Sequence, residues 1–290
     1  MTPLPDFPII DAHLHVYDPR RFSYPWMKAV PKLDRPHLPD DFHALTGGVA
    51  VERAVFVEVD VAPESRLAEA EFVSELAGAD PLIAGMVVSV ALDEGETTQE
   101  NLDRAAALPL ARGVRHLIER HTGEPGWALR EEFVEGVRSL ARRDLSFDLC
   151  LHHPQMPDAI ELVRRCPEVR FVLDHLGKPG IRAGLTEPWR AHIAELARLP
   201  NVWCKISGVV TEADHAHWRE DEVAPYLAHA IERFGFDRVM FGGDWPVSEL
   251  ATSYSRWVAL VDAVAADATP AEKRRLFRDN AIRFYRLETA

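Results

Sequence analysis

Two histidines close the first apolar segment of the chain, and their spacing suits metal binding or carbonyl polarisation. Residues 9–15 read as an apolar strand that ends in His13 and His15. Side chains two apart in a strand point to the same side, so both imidazoles can approach one metal ion or one substrate oxygen. The alternative is a pair of hydrogen-bonded polar residues at a strand exit, but packing rarely needs two histidines there.

Two later segments end in the same way. Residues 170–175 form an apolar run that stops at His175, and a Gly/Pro turn follows. This histidine can offer one ring nitrogen to a site while a neighbour orients the other, although a capping role is equally open. Residues 238–244 end in two glycines and Asp244. The glycines allow close backbone approach and project the carboxylate, whose alternative role is that of a turn or N-cap aspartate.

Together these side chains predict a hydrolytic site. Asp244 would take a proton from an attacking water. His13, His15 and His175, together with Lys205 or Arg115, would polarise a carbonyl, with or without a divalent ion. We expect Asp244 to return that proton to the leaving group. The expected metal ligands are His13, His15 and Asp244.

The elements that must hold these residues recur along the whole chain. Eight apolar runs rich in β-branched residues follow one another at intervals of about thirty residues, which suits βα units. The predicted strands are Pro8–Leu14, Arg53–Val59, Leu82–Val90, Gly113–Ile118, Leu145–Leu151, Val169–Leu173, Val202–Ile206 and Arg238–Phe241. Apolar residues at intervals of three and four predict outer helices over 65–77, 129–143, 158–165, 189–199 and 222–234. The pattern predicts an α/β fold, a regular or distorted (β/α)8 TIM-type barrel, in one domain over residues 1–290.

Residues at the carboxyl ends of barrel strands face the active site, which adds candidates for substrate binding. Arg115 and Lys205 end two predicted strands and can polarise a carbonyl or hold a carboxylate. The alternative for both is an ion pair with Glu58, Asp60 or Glu119. His152 and His153 follow the fifth strand, as metal ligands, substrate ligands or caps. Trp26, in the proline-rich loop 17–46, and Trp245 can pack on a sugar ring, or simply join loop to barrel.

Composition restricts the partners. The formal net charge of −13 argues against nucleic-acid or anionic-membrane surfaces, so we expect a small molecule. Three cysteines without a paired framework fit a reducing cytoplasm. We expect no leader peptide and no membrane span, because neither a basic, apolar leader pattern nor an apolar stretch of membrane length occurs. The sequence leaves the oligomeric state open.

The order of these motifs resembles the amidohydrolase superfamily. His-x-His on the first strand, histidine on the sixth and aspartate on the eighth, within 173–179 and 241–246, are most similar to the branch of sugar-lactone and pyrone-dicarboxylate lactonases. The resemblance covers nearly the whole chain. It implies opening of a cyclic ester of an aldonic acid, as in L-fuconolactonase or L-rhamnonolactonase, to the free acid.

The resemblance also bears on the metal. Many members of the superfamily hold two metals bridged by a carboxylated lysine on the fourth strand, but residues 112–118 offer no lysine. We therefore expect at most one divalent ion, zinc first, and activity need not require it. Arg115 matches a position where pyrone lactonases use arginine. Few cations in an acidic protein favour a neutral sugar lactone over a dicarboxylate.

Two other functions remain open at this point. A metal-dependent decarboxylase of the same superfamily would use the same strand-end histidines and final aspartate. A non-catalytic sugar-binding barrel would explain the histidines and tryptophans equally well. Release of CO₂ would identify the first, and tight lactone binding without acid release the second.

Overall fold

A parallel sheet of eight strands forms the centre of the molecule. The computed structural model describes residues 5–288. Each strand is hydrogen-bonded to the next in chain order, from β1 to β8. The strands are β1 Ile9–Leu14, β2 Val51–Val57, β3 Ile83–Ser89, β4 Ala111–Arg115, β5 Ser146–Leu149, β6 Phe171–Leu173, β7 Val202–Ile206 and β8 Val239–Phe241. With helices between the strands, this architecture confirms the predicted (β/α)8 barrel.

The barrel closes through residues that follow β8 rather than through a regular β8–β1 ladder. The backbone N–H of Asp244 donates to the carbonyl of His13 at 2.8 Å, and that of His15 donates to the carbonyl of Trp245 at 2.8 Å. Closure therefore coincides with the residues that the sequence selects for chemistry.

Ten α-helices lie within the described residues. They are α1 Pro39–Leu45, α2 Arg66–Ala79, α3 Glu96–Ala106, α4 Glu131–Ser139, α5 Met156–Arg165, α6 Trp189–Leu196, α7 Glu220–Phe234, α8 Tyr254–Val264, α9 Pro270–Arg274 and α10 Asn280–Tyr285. The five predicted helices correspond to α2, α4, α5, α6 and α7. Between residues 5 and 288, no helix combines the length and the apolar character that crossing a bilayer requires.

Two helices that the pattern did not predict have atypical faces. The α3 helix buries only Thr98, Leu102 and Ala105 on a mostly polar surface. The α8 helix is the opposite case, because it is buried along most of its length and has no polar stripe to mark its period.

The C-terminal helix closes one end of the barrel. Phe284 and Tyr285 of α10 pack against inward residues near the strand starts, including Ile10, Val55 and Met240. The carboxyl ends of the strands form the other end, where sites lie in barrels of this kind.

The loop 17–46 is folded over that second end. Tyr17 and His37 exchange two backbone hydrogen bonds of 2.9 Å, which hold the loop in a narrow ribbon. The indole N–H of Trp26 donates to the carbonyl of Val59 at 2.8 Å, just past β2. These contacts fix the ring of Trp26 at the mouth of the barrel.

Candidate active site

Three histidines surround one carboxylate oxygen at the barrel mouth. Oδ1 of Asp244 lies 3.3 Å from Nε2 of His15, 3.7 Å from Nε2 of His13 and 3.9 Å from Nε2 of His175. All four residues are buried. The structure thus brings together the four residues that the sequence places on three distant strands.

An irregular pairing in β1 and one buried aspartate position His13. Between Asp11 and Leu14, β1 advances three residues while β2 advances two, from Ala54 to Phe56. Such bulges re-aim side chains. Oδ1 of Asp11 accepts the backbone N–H groups of His13 at 2.9 Å and Gly243 at 2.8 Å. This carboxylate ties β1 to the turn after β8.

Two of the site residues have a left-handed backbone conformation. His175 has φ of 51° and Asp244 has φ of 54°, in a region that non-glycine residues adopt at some cost in strain. Tight turns after β6 and β8 thereby direct both side chains inward. A Cβ on Gly243 would stand 2.4 Å from Oδ2 of Asp11, so the predicted close approach at the glycines is confirmed.

The second ring nitrogen of each histidine has its own partner. Nδ1 of His15 donates to the carbonyl of Val57 at 2.8 Å, which leaves the lone pair of Nε2 free. Nδ1 of His175 lies 2.9 Å from the hydroxyl of Ser207. Nδ1 of His13 lies 3.4 Å from Oδ1 of Asp174. These contacts hold the rings with Nε2 towards Asp244.

These atoms fit a divalent metal ion. Nε2 of His13 is buried and has no hydrogen-bond partner among residues 5–288. One ligand atom each from His13, His15 and Asp244 lies within 4.8 Å of the other two. Two imidazoles and a carboxylate suit zinc with an open position. The predicted ligand set is therefore placed as a metal would need it.

Burial and mutual attraction set the charges of the site. Burial lowers the pKa of His13 and His175 below the ordinary value, and for His13 the ammonium of Lys205 adds to the effect. Burial raises the pKa of Asp244, but attraction to the three histidines outweighs it and holds that pKa well below its ordinary value. At neutral pH Asp244 is therefore ionised, and His13 and His175 are neutral.

A cavity of about 230 Å³ opens beside this cluster. It is lined by His15, Trp26, Val59, Asp60, Arg115, Leu117, Glu119, Cys150, His175, Lys178, Thr211, Asp244 and Val247. Among the predicted substrate-binding residues, Trp26 and Arg115 contribute to its wall.

Arg115 both faces the cavity and is held by acids. Its guanidinium donates to a carboxylate oxygen and to the carbonyl of Glu58, each at 2.6 Å. A third contact of 3.3 Å reaches Oδ2 of Asp174. Arg115 thus lines the cavity, but Glu58 and Asp174 already balance its positive charge.

Lys205 and Trp245 are predicted substrate-binding residues that do not line the cavity. Lys205 is completely buried inside the barrel, where its ammonium contacts Asp148 at 2.6 Å and Asp174 at 3.0 Å. Trp245 is also completely buried and packs edge-on against the rings of His37 and Phe42. Lys205 thus forms ion pairs, but with acids other than those considered from the sequence, and Trp245 packs between the loop and the barrel.

His152 and His153 are placed beside the cavity rather than in its wall. The chain turns away after β5, so that Cys150 lines the cavity while His152 begins a short 3₁₀ turn. Neither histidine is among the residues that line the cavity.

Sequence reasoning missed one charged pair in the wall. The ammonium of Lys178 forms an ion pair with Glu119, and the thiol of Cys150 lies 3.4 Å from the same carboxylate. Burial opposes ionisation of Glu119, yet Lys178 lowers its pKa to about 2. The turn Gly177–Lys178–Pro179 is visible in the sequence, but Glu119 lies beyond the predicted end of β4 and carries no signal.

Comparison with known proteins agrees with this architecture. The amidohydrolase family model matches residues 10–287. The chain is 33% identical to the L-fucono-1,5-lactonase of Burkholderia multivorans over 96% of each protein. It is 30% identical to that of Burkholderia ambifaria over 96% of each. A crystal structure of an amidohydrolase from B. multivorans with bound Zn superimposes with a TM-score of 0.86 at 32% identity, covering 97% of this chain and all of the other. The chain belongs to the amidohydrolase family and is an enzyme, a hydrolase like the relatives that it matches.

Proposed function

We propose that this enzyme hydrolyses a neutral sugar lactone, of the L-fuconolactone kind, to the free aldonic acid. The observation that carries the proposal is the position of the Asp244 carboxylate, whose Oδ1 lies 3.3 to 3.9 Å from three imidazole nitrogens beside a cavity. Two relatives at 30% identity or more are named L-fucono-1,5-lactonases, which supports a lactone as substrate.

The charges of the cavity favour a neutral ring. Arg115 is paired with Glu58, and Lys178 with Glu119. A dicarboxylate would need cations whose charge is not already balanced by neighbouring acids. A polyhydroxylated ring needs instead a mixture of donors and acceptors around an apolar face. Paired charges supply the mixture, and the indole of Trp26 supplies the face.

Asp244 serves both halves of the proposed reaction. Its carboxylate accepts a proton as a water oxygen bonds to the lactone carbonyl carbon. When the ring C–O bond breaks, Asp244 gives the proton to the departing alkoxide oxygen, and the product is an open hydroxy acid. Arg115 and His175 line the same cavity and face the negative charge that develops on the carbonyl oxygen.

The two histidines of the first strand and Asp244 are placed to bind one metal ion. A divalent ion held by His13, His15 and Asp244 would supply Lewis-acid polarisation and lower the pKa of a water. His15 keeps Nε2 available for such an ion because Val57 accepts the proton of Nδ1. Zinc is the ion that the ligand types favour.

A panel of aldonolactones, followed with a pH indicator, tests the proposal. The panel contains L-fucono-, L-rhamnono-, L-galactono- and D-arabinonolactone, with and without a chelator, and Asp244→Asn as the inactive control. We expect acid release from one stereochemical subset. Acid from none of them would contradict the proposal; CO₂ release from aromatic acids would then indicate a decarboxylase, and binding without turnover a sugar-binding barrel.

A further inference from the structure

A second group of potential metal ligands lies directly below the first. One ligand atom each from His13, Asp174 and His175 lies within 4.8 Å of the others, and all three residues are buried. Because His13 belongs to both groups, the two groups together offer ligands for two neighbouring cations. The question is what balances the negative charge of this second group.

The ammonium of Lys205 occupies that neighbourhood. Nζ lies 3.0 Å from Oδ1 of Asp174 and 3.2 Å from Nδ1 of His13, two of the three potential ligands. A third contact of 2.6 Å reaches Oδ2 of Asp148. The ammonium donates a hydrogen bond to Asp148, and the carboxylate of Asp174 lies at ion-pair distance, so two buried acids balance its charge. The lysine side chain has no exposed surface.

We propose that the Lys205 ammonium is a built-in cation that fills the second ligand group, so that the site admits one divalent ion and excludes another. Lys205 is thus a positioning residue that acts through His13 and Asp174. This role concerns the metal content of the site and is independent of which substrate the enzyme opens.

Two physical effects produce the exclusion. A second divalent ion bound to Asp174 and His13 would stand within a few ångströms of a buried positive charge, where repulsion is poorly screened. The lysine also cannot swing aside easily, because the barrel interior is closed below it. There Tyr285 of α10 donates its hydroxyl proton to Asp148 at 2.9 Å and places its ring 5.4 Å from Nζ.

Manganese titration followed by electron paramagnetic resonance tests the inference without any substrate. Metal-free wild-type protein is titrated with Mn²⁺, and bound metal per chain is measured by elemental analysis. We expect one bound ion with the spectrum of an isolated Mn²⁺. In Lys205→Ala, which removes the charge and opens space, we expect a second bound ion and an exchange-coupled spectrum of two adjacent ions.

Tyr285→Phe is the matched control, because it perturbs the same network through Asp148 but leaves the lysine in place. It should bind one ion, as the wild type does. The inference is overturned if the wild type binds no ion or a coupled pair, or if folded Lys205→Ala binds only one. Lys205→Gln keeps a donor towards Asp148 and gives the same reading if Lys205→Ala does not fold. If neither variant folds, the wild-type spectrum is the test: an isolated ion supports the inference, and a coupled pair overturns it.

Discussion

Gly208 lies against His175 so closely that no side chain fits between them. A Cβ built on Gly208 would be 2.3 Å from Nδ1 of His175 and 2.5 Å from Oδ2 of Asp244. The backbone after β7 therefore forms part of the wall that holds the histidine towards the carboxylate.

Gly208→Ala should abolish most of the activity, because the added methyl group displaces His175 and Asp244 from each other. Turnover on a lactone and thermal unfolding are the two measurements. Gly184→Ala is the matched control. Both glycines have positive φ, 58° and 65°, but nothing lies within 4 Å of a Cβ on Gly184. If the two variants lost equal activity, backbone strain rather than the contact with His175 would be responsible.

Arg115→Met should destabilise the fold as well as the site. The substitution leaves the buried carboxylates of Glu58 and Asp174 without their arginine. Removal of one partner from a buried ion pair costs about 3–5 kcal/mol, measurable by urea unfolding. Arg164→Met, which breaks an exposed ion pair with Glu195, should leave the unfolding midpoint unchanged. Equal stability of the Arg115 variant and wild type would contradict the importance of this network.

Asp244→Asn should lower kcat by about 10²- to 10⁴-fold, the usual contribution of a general base. The amide cannot accept the proton of the attacking water, although it keeps the shape of the side chain. Circular dichroism should show an unchanged fold, and Asp103→Asn at an exposed position on α3 should keep full activity. Near-normal turnover in the Asp244 variant would assign the base elsewhere.

Glu69→Gln should change how stability depends on pH. Glu69 on α2 is buried next to Glu58, and burial raises its pKa to about 8. A carboxyl whose pKa is raised on folding contributes stability below its unfolded pKa and loses that contribution as pH rises towards 8. Wild-type stability should therefore fall between about pH 5 and pH 8, at up to about 1.4 kcal/mol for each pH unit.

The glutamine variant should lack this fall, as measured by urea unfolding at several pH values. Glu71→Gln, exposed on the same helix, is the control and should follow the wild type. If the difference in stability between wild type and Glu69→Gln did not change from pH 5 to pH 8, Glu69 would be ionised in the folded state.

The barrel was predictable because each strand is a short apolar run with a polar residue at its end. His13, His15, His175 and Asp244 were predictable for the same reason. The direction in which a side chain points could not be predicted from the sequence. Lys205 points into the closed interior, although its place at a strand end favours the mouth.

The other features that the sequence did not predict lie in the turns after the strands. Glu119 and Lys178 meet across the cavity from the segments that follow β4 and β6, and their pairing depends on three-dimensional contact between residues far apart in sequence. Lys178 has a left-handed φ of 46°, which lysine rarely adopts, so the sequence does not indicate this conformation.

Residues from both ends of the described chain meet in the barrel, because His13 of β1 pairs with Asp244 after β8, and Tyr285 of α10 contacts Asp148 of β5. During synthesis on a ribosome, β1 emerges long before its partner segment at Asp244 and the helix that supports Asp148. The catalytic centre thus has no precursor within a growing chain. Fragments that stop before Asp244 should lack both the hydrogen bonds that close the barrel and the carboxylate of the site, and they should show no turnover.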